Sequence, residues 1–176
     1  MKKILLLLVL HIAFVNAFSQ SLNFQENFEK GVFTNAWKIT NGKWYVANLA
    51  DKGITPPDGG NNYALASGGN GEITLDLKAH HDDLEIPLQL SFTYWVHSDG
   101  STGQVSLVFL NDRGETISTI QFDALQQKNN WELFSQEYKA PTGTAVIRLK
   151  LGEISAAGKN TVYFKSFCGP CRRRGA

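Results

Sequence analysis

The chain has 176 residues, enough for one domain with a substantial core. Its 17 basic and 16 acidic residues nearly cancel, so it lacks the surplus of clustered Lys and Arg that a nucleic-acid backbone demands. Its 16 glycines and 11% aromatic residues favour β-structure and tight turns, and no stretch carries the length and period of an amphipathic helix, which excludes βαβ architectures.

The N-terminus reads as an address. Lys2 and Lys3 precede an apolar run, Ile4 to Val15, interrupted only by His11, and Val15-Asn16-Ala17 places small residues where a signal peptidase cuts. Residues 1–17 are therefore expected to be a signal peptide removed after Ala17, too short to span a bilayer comfortably. The expected location is secreted, periplasmic or at the cell surface. Removing Lys2 and Lys3 leaves 15 basic against 16 acidic residues, three of the basic ones being Arg172 to Arg174.

Along the mature chain, Asn23–Phe28 is extended and Lys43–Leu49 reads as a strand. Asp51–Asn62, with Pro56, Pro57, Gly59 and Gly60, reads as a long loop. Tyr63–Ser67 and Glu72–Lys78 form strands around the turn Gly68–Gly71. Leu88–His97 is the clearest strand, followed by Gln104–Asn111 and Thr116–Asp123, with Ala124–Asn130 as one helical turn or a loop. Trp131–Lys139 and Thr144–Leu151 flank a turn at Pro141 and Gly143, and Thr161–Phe167 comes last. In Thr144–Leu151, Ala145, Ile147, Leu149 and Leu151 fall on one face and Val146, Arg148 and Lys150 on the other, the mark of a sheet with one dry and one wet side. Strands at this spacing predict an all-β fold, a two-sheet antiparallel β-sandwich of jelly-roll type occupying residues 18–167, with 168–176 as a tail.

The order of these signals carries a resemblance. FQENFEKGVFTNAW, then LQLSFTYWVHSDG, then NNWELFSQEYKAPTGTAVIRLKL and finally NTVYF resemble the jelly-roll carbohydrate-binding modules of galactose-binding-like and family 4-9-22-like type. The opening F-x-E-x-F-E-x-G is also similar to MAM-like and cleaved-adhesin surface modules. The resemblance implies a non-catalytic, secreted, monomeric module that holds a polysaccharide or glycan and needs no cofactor. It also implies that Trp37 and Trp131 are packing residues. Many such modules close on an Asp that helps to bind structural calcium. Lys165 stands there in this chain, and a lysine offers calcium no oxygen donor, so no metal is expected. Lys165 can instead pair with Glu26 or Glu29, or all three can be solvated charges.

Candidate binding residues follow from strand parity. In Leu88–His97, Leu88, Leu90, Phe92, Tyr94 and Val96 form the core face, leaving Trp95 and His97 among Gln89, Ser91 and Thr93. An aromatic ring flanked by hydrogen-bonding side chains suits a sugar, whose C–H face stacks while its hydroxyls find partners. The competing reading is that a loop or sheet curvature covers Trp95. Trp44 is a second candidate, set against a core position, and Gln104, Gln121 and Arg148 are polar-face residues able to meet hydroxyls.

Other constellations are weaker. His80–Asp83, HHDD, has metal-ligand residue types without a spaced partner set. No carboxyl pair and no nucleophile elbow is singled out, so the chain is not expected to be an enzyme. The ending FCGPC places Cys168 and Cys171 in a motif that resembles the thioredoxin active-site turn, where a helix start lowers a thiol pKa. Too little chain follows for a thioredoxin domain, which leaves a surface disulfide, a reactive pair, or a remnant of a lost thiol oxidoreductase. A structural or adhesive module without a sugar site is the further alternative.

Overall fold

A computed structural model describes residues 24–57, 62–80, 84, 87–97, 101–126, 129–154 and 162–172, the side chains of 170–172 excepted. The proposed signal peptide lies outside the described residues. Among the described residues eleven strands run in chain order: β1 Gln25–Glu26, β2 Trp37–Asn41, β3 Trp44–Asn48, β4 Tyr63–Ser67, β5 Gly71–Lys78, β6 Leu88–Val96, β7 Thr102–Leu110, β8 Thr116–Gln121, β9 Glu132–Tyr138, β10 Val146–Ile154 and β11 Val162–Arg172. They form two antiparallel sheets, which we label A, with order β3-β4-β11-β6-β9 and β1 beside β11, and B, with order β2-β5-β10-β7-β8. Neighbours within a sheet are mostly not sequential in the chain, so the connections pass from one sheet to the other, as in a jelly roll.

Alternating side chains explain why the sheets stack. Leu88, Leu90 and Phe92 from sheet A meet Ile73, Leu75, Leu107, Phe109, Ile147, Leu149 and Leu151 from sheet B in one buried cluster. Each such side chain contributes about 2 kcal/mol on burial. Aromatic rings fill the centre, with Phe92 stacked on Phe134 at 4.5 Å and Phe167 edge-on to Trp37 at 5.4 Å. The predicted faces of Leu88–His97 and Thr144–Leu151 are those observed.

Two differences from the sequence reading have physical causes. β2 was not foreseen. In WKITN only Trp37 is buried, so alternation gives no signal, and pairing with β5 makes the strand. The turn from β2 to β3 depends on Gly42, which has φ 72°, and whose added Cβ would sit 2.6 Å from the Gly71 Cα. The segment at Ala124–Asn130, where it is described, takes the loop alternative of the sequence reading and is tied to β7 by a bridge between Gly103 and Leu125. The last strand does not stop at Phe167 but runs on to Arg172, so Cys168 and Cys171 are strand positions opposite Ser91 and Gln89 rather than part of a tail. A bulge around Ser166, with φ 56°, lets β11 continue and take β1 as a new neighbour.

Candidate functional site

The outer face of sheet A is not an ordinary wet face. Register aligns its residues in rows across the strands. Tyr45 lies opposite Ala66, Ala66 opposite Tyr163, and Tyr163 opposite Trp95. Tyr94 pairs with Glu132, and one step further Trp95 meets Trp131, whose rings lie 5.8 Å apart and edge-to-face at 68°. Four aromatic rings thus share one line of the sheet.

Half of that line is covered. Ala47, Leu49, Ile54, Ala64, Ala66 and Tyr163 form a second buried cluster on this face, with Tyr45, Trp95 and Trp131 packed at its margin. The small side chains of Ala47, Ala64 and Ala66 let the segment 49–55 lie down on β3 and β4. A short 3-10 turn at Ala50–Lys52 and Gly53, with φ 67°, shape that segment. Trp131 fastens its far end, Nε1 donating to the Thr55 carbonyl at 2.7 Å. Tyr45 lies at the closed end, where burial first and the negative charge of Glu153 second push its phenol pKa up.

Trp95 and Trp131 are the half-buried boundary between the covered and open parts. The Trp95 Nε1 is covered and has no hydrogen-bond partner among the described residues, and that of Trp131 is committed to Thr55. Both rings therefore offer carbon surface, not donors. Inclined at 68° to each other they make a corner, which suits an apolar sugar face. Beyond it lie Thr93, exposed Leu133, Ser91, Ser135 and Gln89, all without charge.

The other predicted site residues go elsewhere. His97 follows β6, exposed, with the parity of Trp95. Trp44 is a correction: it is 5% exposed and packs against Phe164 in the main core, because β3 points its even-numbered residues inward. Gln104 and Arg148 are corrections of another kind. Both lie on the outer face of sheet B, on the far side of the sandwich from Trp95. There Gln104 faces Gly152, and Arg148 makes a two-pronged bond to Asp76 at 2.6 and 2.8 Å. That bond holds the Asp76 carboxyl below its usual pKa. Gln121 donates to the Val105 carbonyl at 3.0 Å, at a groove of about 450 Å³ between the sheet edges that Tyr94, Phe122 and Leu133 also line.

Trp131, expected as a packing residue, does pack at the margin of the second cluster, and it also borders Trp95 on the outer face, a neighbour that sequence reasoning did not give it. Its signal was present: Phe134 and Tyr138 are the inward residues of β9, so parity puts Trp131, Leu133 and Ser135 outside. Lys165 is no solvated charge. It is fully buried on the outer face of sheet A, beside Thr93, while the Glu26 side chain accepts from the Phe28 N–H at 3.1 Å. No cluster of three or more His, Cys, Asp and Glu able to hold a metal occurs among the described residues. Cys168 and Cys171 have strand backbone, not the helix start that activates a thioredoxin thiol. Of the HHDD run, His80 is exposed and the rest lies outside the described residues.

The architecture is the jelly-roll sandwich of carbohydrate-binding modules. The chain is similar to the enzymatically active domain of Bacteriophage CBA120 tailspike protein 4, with a TM-score of 0.64 and 12% identity over 81% of this chain and 20% of that one. It therefore spans about a fifth of the tailspike domain's length. It is also similar to the CBM22-1 xylan-binding domain of Paenibacillus barcinonensis Xyn10C, with a TM-score of 0.58 and 16% identity over 82% of this chain and 90% of that one. The K1 cleaved adhesin domain of Lys-gingipain from Porphyromonas gingivalis W83 matches with a TM-score of 0.52 and 14% identity, over 84% and 97%. At such identities the likeness is one of fold. No protein-family model and no curated protein matches the sequence. Among the described residues no helix is long and apolar enough to cross a membrane.

Proposed function

We propose that this chain is a secreted, non-catalytic module that binds a polysaccharide or glycoconjugate at the corner made by Trp95 and Trp131. The observation that carries the reading is the edge-to-face pair itself, half-exposed on a sheet face and bordered by uncharged hydrogen-bonding side chains. Neighbours of the same fold include a xylan-binding domain, which supports the ligand class. The reading needs no cofactor and no metal.

Affinity electrophoresis through gels containing soluble polysaccharides tests it. Trp95→Ala is expected to abolish retention, while near-ultraviolet circular dichroism and the melting curve report a folded sandwich. Undiminished retention of the variant on every polysaccharide that slows the parent sinks the proposal. The covering of β3 and β4 by residues 49–55 favours a second reading, a structural or adhesive surface module. That reading expects the parent itself to pass unretained through every gel.

A further inference from the structure

We infer that the ligand is a linear, uncharged glycan that lies along β6 and β9, parallel to the strands, rather than across the sheet. This rests on the reading of Trp95 and Trp131 as the sugar-contacting corner and adds the path and chemical class of what binds there.

Two observations fix the direction. A chain leaving the corner towards β11, β4 and β3 meets the segment 49–55, whose Leu49 and Ile54 are buried against the sheet and whose Thr55 is fastened to Trp131. That side is closed one row further on as well, where Lys165, beside Thr93, is fully buried. The open strip is the pair of strands beyond the closed part. Its rows, set by register, are Trp95 with Trp131, Thr93 with Leu133, Ser91 with Ser135, and Gln89 with Glu137. Six residues of strand separate the first row from the last, about 20 Å.

The chemistry changes along the strip in the way an extended sugar chain needs. The first ring meets the aromatic corner, and the second meets Leu133, an apolar side chain 68% exposed on a sheet face. Further on the contacts turn polar. Gln89 Nε2 donates to the Ser135 Oγ at 2.9 Å, which keeps the Gln89 amide oxygen to accept and the Ser135 hydroxyl to donate. Thr93 and Ser91 direct their hydroxyls to the Lys165 and Cys168 carbonyls at 3.1 and 3.4 Å, so they serve the ligand as acceptors only. Among the described residues of these rows the one charged side chain is the Glu137 carboxylate, which disfavours sulfated or uronic chains. Its length suits about three or four sugar rings.

The test is titration calorimetry of the mature chain with linear β-linked xylo-, gluco-, manno- and galacto-oligosaccharides of one to six residues. For the series that binds, affinity is expected to climb with length and level off at about four residues. Gln89→Ala and Ser135→Ala should each weaken the tetramer about 3- to 10-fold and leave the dimer unchanged. Both are exposed positions whose variants keep the fold, which melting curves verify. If Trp95→Ala abolishes binding but neither variant affects the tetramer, the strand-parallel path is wrong while the sugar site stands. If the parent binds none of the four series, the path and the site fall together.

Discussion

At the scale of single residues, the Arg148–Asp76 pair shows what a polar-face arginine does here. Its two bonds are short, yet the side chains are 38% and 26% exposed, so water screens the pair. Such pairs contribute under about 1 kcal/mol. The Asp76 carboxyl has a folded pKa below its unfolded value, chiefly because Arg148 hydrogen-bonds its charged form. A group of this kind adds stability above the unfolded pKa, near 4, and loses it as pH falls through the folded pKa. Asp76→Asn is thus expected to lower unfolding free energy by up to about 1 kcal/mol at pH 7. The gap between variant and parent should begin to narrow as pH falls through about 4 and close only below the depressed folded pKa, where both side chains are neutral. Urea titrations at pH 7 and pH 3 measure both values. An undiminished gap at pH 3 would show that the loss comes from packing rather than charge.

At the scale of elements, the segment 49–55 and the start of β9 act as one unit through Trp131. Trp131→Phe keeps a ring against Trp95 but deletes the donor to Thr55. The expected cost is about 1 kcal/mol or less, confined to the segment. Amide hydrogen exchange at residues 49–55 should quicken several-fold while β10 and β7 stay protected. Equal exchange in parent and variant would mean that Leu49 and Ile54 hold the segment down alone. Parity is legible in a sequence, which is why the faces of β6 and β10 match expectation. Parity also sets Trp131 outside beside Leu133, although resemblance assigned it to packing. What no local pattern carries is register: nothing in the sequence around Trp95 says that Trp131 is its cross-strand neighbour. A short strand with one buried residue, such as β2, is illegible for the same reason, since its partner β5 creates it.

At the scale of the whole molecule, a sandwich has two outer faces, and a polar residue on one strand does not reveal which face it joins. Arg148 and Gln104 have the parity foreseen for them, but β10 and β7 belong to sheet B, whereas Trp95 belongs to sheet A. The face of sheet B is a self-satisfied charge array, with Lys150 bonded to Glu72 at 2.8 Å and Arg148 to Asp76. Ligand hydroxyls would have to displace those bonds to bind there. Among the described residues, the rows of β6 and β9 beyond the aromatic corner are uncharged as far as Glu137. A saturating glycan should therefore slow amide exchange in β6, β9 and the segment 49–55, and leave β5, β7 and β10 unchanged. Arg148→Ala and Gln104→Ala should bind the same glycan within about twofold of the parent, since neither touches the corner. Protection that appears on β10 and β7 instead would move the site to the opposite side of the sandwich.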